Sequence, residues 1–136
     1  SVKAAYTLVK SMTKHYGISE EAFKEVDYHV HVPAGAVPKD GPSAGVGMFT
    51  SLLSLILKRK VHHDIAMTGE ITLQGLVLPI GGLKDKILAA RQAGIKKVIL
   101  PMRNKKDMPD VPEEAKKDME FLFVKNVQEV AKYAIE

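Results

Sequence analysis

Two side chains of complementary reactivity stand 43 residues apart: Ser43 in PKDGPSAG and Lys86 in PIGGLKDK, each beside a glycine turn. A serine hydroxyl is a poor nucleophile until a base takes its proton, and an uncharged lysine can be that base. Helical phase separates Lys86 from its neighbour. Leu83, Lys86, Ile87 and Ala90 follow the i, i+3, i+4, i+7 spacing of one helix face, which puts Lys86 on an apolar stripe. Lys84 points about 200° around the same helix by its 3.6-residue period, toward Leu88 and Arg91. An exposed lysine of pKa ~10.4 is neutral in only about one molecule per thousand near pH 7.4. Desolvation on an apolar face lowers such a pKa by up to ~3–5 units and makes the neutral amine abundant.

Ser43 has two readings. Between Pro42 and a long uncharged run it suits a helix N-cap or first-turn position, where a hydroxyl satisfies free N–H groups. The same position sets the hydroxyl beside unpaired N–H donors and the positive end of a helix macrodipole, which favours an oxyanion. The small neighbours Gly41, Ala44 and Gly45 let a substrate backbone approach. Histidines offer a competing base. A Ser-His-Asp triad built from Ser43, His29 or His31, and Asp40 or Asp64 is open on sequence order, because triads are defined by geometry. Helical phase favours Lys86 over either histidine. The His29–His31 pair lacks a cysteine or a third ligand at zinc-site spacing, so no metal site is expected. GPSAGVG lacks the GxxxxGK[ST] phosphate-loop pattern, and its glycines read as packing positions.

These residues need a scaffold. Ala5, Leu8, Val9 and Met12 recur at helical spacing, with Gly17 as the stop. VDYHVHV alternates like a strand, with Val26, Tyr28, Val30 and Val32 on one face and Asp27, His29 and His31 on the other. Residues 33–42, with three prolines and two glycines, form a loop. The 17 uncharged residues from Gly41 to Leu57 fall at the lower limit for a membrane span. Their serines, threonine and three glycines favour a helix buried inside the domain instead. DIAMT then reads as a strand, ITLQGLVLPIGG as a hairpin, KDKILAARQAG as a helix closed by Gly94 and KKVILP as a strand. Residues 102–118 suit a surface segment with a short helix, MEFLFV a last strand and VQEVAKYAIE a last helix. The expected fold is α+β: one domain over residues 1–136, with a mixed sheet layered with helices.

Composition narrows the function. At 136 residues, 46% apolar and 26% charged, the chain has the makeup of one soluble globular domain. It has no cysteine, which suits a reducing compartment, and its first ten residues lack the apolar core of a signal peptide. The net charge is +4, but the 11 basic residues between Lys84 and Lys125 are interleaved with 7 acidic ones. With 6% aromatics, that pattern is a solvated mixed face and not a nucleic-acid surface.

From Tyr28 to the C-terminus the chain resembles the proteolytic domain of the Lon protease family. The nucleophile motif matches at Lys39 to Gly45 around Ser43, and the lysine motif at Pro79 to Lys84 and Lys86. The resemblance implies a serine peptidase with a Ser43–Lys86 dyad. Thr68 of the MTGE segment would hold the lysine amine, with His29, His31 and Asp40 near the site. Backbone N–H groups of Ser43 and Ala44 are the oxyanion candidates. It further implies a cytoplasmic, stress-related protease of unfolded or damaged polypeptides, working as a homohexamer. ATP and magnesium would belong to an ATPase module outside this chain, with no cofactor or metal expected in the chain itself and no membrane partner. On this resemblance the chain begins after the family domain's first strands. Ala34-Gly35 replaces the family's Glu-Gly. The competing class is a non-catalytic scaffold of the same fold, which has no need of either Ser43 or Lys86.

Overall fold

The computed structural model describes residues 2–12, 15–23, 27–31 and 42–136. Helix α1 (Val2–Ser11) is followed by a short 3-10 turn (Glu20–Phe23) and helix α2 (Gly45–Leu57). Next come β1 (Ile65–Met67), β2 (Glu70–Ile71), β3 (Val77–Leu78) and α3 (Leu83–Gln92). Strand β4 (Lys97–Pro101) leads into a 3-10 segment (Met102–Asp110), α4 (Glu113–Lys116), β5 (Glu120–Val124) and α5 (Val127–Ala134).

The apolar run of β4 dictates the layering, because a strand apolar on both faces needs cover on both. It lies between β1 and β5 in a parallel sheet, Ala66 pairing with Val98 and Leu122 with Ile99. Ile99, Val124 and Ile65 face a core built with α1, α2 and α5, where Phe49 and Leu53 are fully buried. Val98 and Leu100 face the other way, against Leu83, Ile87 and Ala90 of α3 and against Val111 and Ala115. The fold is therefore α+β as expected, with the sheet enclosed by helices. Its antiparallel part is a separate ladder among the described residues: β2 pairs with β3, Ile71 opposite Val77.

Three local expectations are corrected. Residues 27–31 belong to no strand, although the predicted facial alternation holds: Tyr28 and Val30 pack on the core while Asp27, His29 and His31 are exposed. Side-chain alternation needs only an extended course of the chain and does not by itself make a strand. Val26 and Val32 lie outside the described residues. Helix α1 stops at Ser11, well before Gly17, and a further turn intervenes in which the Tyr16 N–H reaches the Met12 carbonyl at 3.3 Å. Gly17 then takes a φ of 68°, a reversal that glycine accepts without steric cost. Ser43 does not cap α2: the N-cap is Ala44, with helical backbone angles and no side-chain cap. A tight turn closed by the Gly45 N–H on the Pro42 carbonyl at 3.2 Å displaces the serine from the capping position. No helix among the described residues is long and apolar enough to cross a membrane. The only polar side chain fully buried in α2 is Thr50, which satisfies its hydroxyl on the Val46 carbonyl at 2.8 Å.

Candidate active site

Lys86 is aimed by the start of α3. Gly82 precedes the helix with a φ of 69°, left-handed backbone that a glycine adopts freely. Its carbonyl receives the Lys86 N–H at 3.1 Å and begins the helical ladder. Leu83, Ile87 and Ala90 are buried, Lys86 is partly buried and Lys84 is exposed, as the stripe requires. The amine Nζ donates to Thr68 Oγ1 at 3.1 Å. Burial costs the charged amine its hydration, so the Lys86 pKa is lowered from its ordinary 10.5. Lys84 instead borders a shallow hollow with Ile80, Gly81, Asp107 and Asp110, on the other side of the helix start.

Ser43 is positioned through its carbonyl. That oxygen accepts the Gly69 N–H at 2.9 Å and the Thr68 hydroxyl at 3.4 Å. One residue pair on, the Gly69 carbonyl takes the Val46 N–H at 3.1 Å, so the entry to α2 is stitched to the end of β1 by reciprocal backbone bonds. The approach is close enough to require glycine. A Cβ at Gly69 would stand 2.8 Å from Val77 Cγ1 and 3.0 Å from Val46 Cγ1. Thr68, 9% exposed, therefore links the two reactive residues, accepting from the Lys86 amine and donating to the Ser43 carbonyl. Its own N–H is held by the Ile99 carbonyl of β4 at 3.2 Å.

Ser43, Thr68 and Lys86 share one cavity of about 300 Å³, whose other walls are small or apolar: Ala44, Ala66, Met67, Ala89, Ala90 and Val98. Among the described residues, the Ser43 and Lys86 side chains are not directly hydrogen-bonded to each other. The Gly45 and Val46 N–H groups are taken by carbonyls, whereas those of Ser43 and Ala44 donate to no backbone carbonyl among the described residues. His29 and His31 are exposed and do not line this cavity, and Asp40 lies outside the described residues. Asp64 sits at the opposite end of β1 from Thr68, its carbonyl bonded to the N–H groups of Lys96 and Lys97. The triad alternative thus has no assembled counterpart among the described residues. No group of three or more acidic or histidine side chains among them is arranged to hold a metal ion.

Sequence reasoning missed two residues at this site. Gly69 read only as part of MTGE, although a glycine between two strands signals close backbone approach. Asn104 sat unremarked in a polar surface segment. It is 1% exposed and bonds both backbone groups of Ile80, just before the lysine helix.

Comparison with known proteins places the chain in a family. The family model for the Lon protease (S16) C-terminal proteolytic domain matches residues 1–136. The chain is 51% identical over 135 residues to the Lon protease of Desulforamulus reducens, a match that covers 99% of this chain and 17% of the relative. It is 53% identical over 135 residues to the Lon protease of Syntrophus aciditrophicus, with the same coverage of 99% and 17%. The Lon protease of Anaeromyxobacter dehalogenans is 52% identical over 136 residues, covering 100% of this chain and 16% of that protein. The chain thus spans about one sixth of the length of these curated relatives.

Proposed function

This chain belongs to the family of Lon protease (S16) C-terminal proteolytic domains, and we propose that it hydrolyses peptide bonds with a Ser43–Lys86 dyad. The observation that carries the reading is the Lys86 amine, partly desolvated and held by Thr68 in the cavity that Ser43 also lines. Desolvation raises the share of neutral amine, and Thr68 fixes its direction by accepting one N–H. The amine lone pair is then available for the serine proton.

Ser43 Oγ attacks the scissile carbonyl carbon while its proton passes to Lys86 Nζ, and the carbonyl π electrons move to oxygen. The N–H groups of Ser43 and Ala44, which donate to no backbone carbonyl among the described residues, are the candidates to receive that oxyanion, a type of contact worth about 10²–10³-fold in rate. Collapse of the tetrahedral species breaks the C–N bond, and the Lys86 ammonium protonates the leaving amine. This leaves an acyl-serine and a neutral lysine. A water then gives its proton to Lys86 as it attacks the ester, and the second collapse returns the proton to Ser43 Oγ. Substrate binding has to bring Oγ and Nζ into contact, a tightening that general acid–base sites commonly show.

Substrates on this reading are unfolded or damaged polypeptides, because the serine must meet an extended backbone. In the longer protein the chain serves as the peptidase part of an ATP-dependent hexamer in the cytoplasm. ATP and magnesium act there in a separate module, and no step described for this chain uses them. Labelling with a serine-reactive phosphonate tests the assignment. Covalent addition at Ser43 that disappears in Lys86→Met is expected. Unchanged labelling in that variant, or none in the native chain under conditions where it is folded, would point to the scaffold class.

A further inference from the structure

Among the described residues, Asn104 and Thr50 are the two most deeply buried polar side chains, each 1% exposed, and they differ in reach. Thr50 bonds within its own helix, whereas Asn104 spans 24 residues to Ile80. Its Oδ1 accepts the Ile80 N–H at 2.9 Å, and its Nδ2 donates to the Ile80 carbonyl at 2.9 Å and to Asp107 Oδ2 at 3.0 Å. The amide oxygen and both amide hydrogens are in use, so the partners dictate a single orientation of the group. One side chain thereby grips both backbone groups of one residue, as a neighbouring strand would.

The gripped residue lies two positions before Gly82, the residue whose carbonyl receives the Lys86 N–H. Gly81 and Gly82 between them have no side chains to pack, and Gly82 is in left-handed backbone, so the turn has little stiffness of its own. Asn104 sits just beyond the end of β4, the strand that also holds Thr68 through the Ile99 carbonyl. Both partners of the Lys86–Thr68 bond are therefore referred to β4. The acceptor is fixed through Ile99, and the donor through Asn104 and the glycine turn.

We infer that Asn104 is a positioning residue for Lys86: its amide fixes the turn from Ile80 to Gly82, and with it the depth at which the lysine amine meets Thr68. The catalytic consequence rests on the dyad reading above, while the geometric claim does not. Lys86 is the only charged side chain among the described residues lining its cavity, from the entry turn of α2, β1, α3 and β4. Its titration thus reports its own burial.

The test measures the Lys86 midpoint by NMR on lysine-labelled protein, assigned with Lys86→Met, alongside peptidase kinetics. Asn104→Ala should move the midpoint up toward the ordinary lysine value and lower kcat roughly tenfold, equivalent to about 1.4 kcal/mol, with KM changed less than about twofold. Val130→Ala, a buried change in the core on the other side of the sheet, provides comparable thermal destabilisation and should leave the midpoint in place. A midpoint in Asn104→Ala that coincides with the native one would overturn the inference, as would an equal displacement in Val130→Ala. If Asn104→Ala does not fold, Asp107→Ala decides, since it removes one partner of the amide and spares Ile80. A smaller upward displacement supports the clamp and a coincident midpoint overturns it. Full activity in Lys86→Met would sink the dyad, and the midpoint would still answer for the clamp.

Discussion

Lys86→Met set against Lys84→Met is the sharpest test, because two lysines in the first turn of one helix should behave as different residues. Methionine retains most of the apolar stem, so the cavity wall that Lys86 shares with Ala66, Ala90 and Val98 is largely kept. What is lost is one hydrogen bond to Thr68 Oγ1, worth about 1 kcal/mol. What is gained is relief of the desolvation that lowers the Lys86 pKa. The two effects oppose each other, so the melting temperature should move by no more than about 4 °C, the shift that roughly 1 kcal/mol produces in a domain of this size. Activity should fall far more. General-base help alone is worth about 10²–10⁴-fold, and the hydroxyl has no other base among the described residues that line the cavity. Lys84 borders a different hollow and is exposed. Its replacement should cost less than about threefold, within the range of surface substitutions. The assay is hydrolysis of a short unstructured fluorogenic peptide, with a thermal melt on each variant. Near-native turnover in Lys86→Met, combined with abolition by His29→Ala or His31→Ala, would refute the dyad in favour of a histidine base.

Four further outcomes follow from the same geometry. Thr68→Val keeps the shape and removes the hydroxyl, so the amine loses its anchor; kcat for the same peptide should drop about 10–100-fold, the equivalent of a hydrogen bond to a charged group, with KM little changed. The rate should rise with pH through a midpoint below 10.5 as Lys86 loses its proton. The unfolded chain holds that proton more tightly, so the contribution of this residue to stability should also increase with pH between its folded midpoint and 10.5, raising the stability of the native chain relative to Lys86→Met in denaturant titrations at stepped pH. Gly69→Ala forces a Cβ to within 2.8 Å of Val77 Cγ1 and should cost about 1–3 kcal/mol, whereas Gly47→Ala, in open space on α2, should stabilise by about 0.4–1 kcal/mol in chemical unfolding. The chain should cleave small unstructured peptides without nucleotide and leave stably folded proteins intact; ATP-stimulated degradation of a folded substrate by this chain alone would contradict that division of labour.

Much of the fold was legible because its elements carry local signals. The helix stripe of Leu83, Lys86, Ile87 and Ala90 predicted both the burial of α3 and the partial burial of its lysine. KKVILP read as a strand, and β4 is one, buried on both faces. Failures came where the answer depends on a partner distant in sequence. VDYHVHV has the period of a strand, and the faces of residues 27–31 segregate as predicted, but those residues are not assigned to a strand. Ser43 looked like a cap because capping statistics concern the helix alone. The structure instead uses its carbonyl to receive Gly69, a contact that no local pattern encodes.

The site itself divides along the same line. Serine and lysine could be nominated from type, spacing and phase, because reactivity requires particular functional groups and burial requires a stripe. Their registration could not, because it is built from backbone groups. The Gly69 N–H meets Ser43, the Ile99 carbonyl meets Thr68, and an amide side chain meets Ile80. Asn104 shows why such residues escape notice. Its neighbours Arg103, Lys105 and Lys106 are exposed and give the segment a surface composition, while Asn104 alone turns inward. A buried amide with every donor and acceptor matched is costly to misplace, because each unmatched group forfeits about 1–3 kcal/mol. That penalty makes the clamp specific to one backbone geometry, and the proposed dyad, which requires an amine and a hydroxyl to be brought together, needs that specificity more than it needs additional stability.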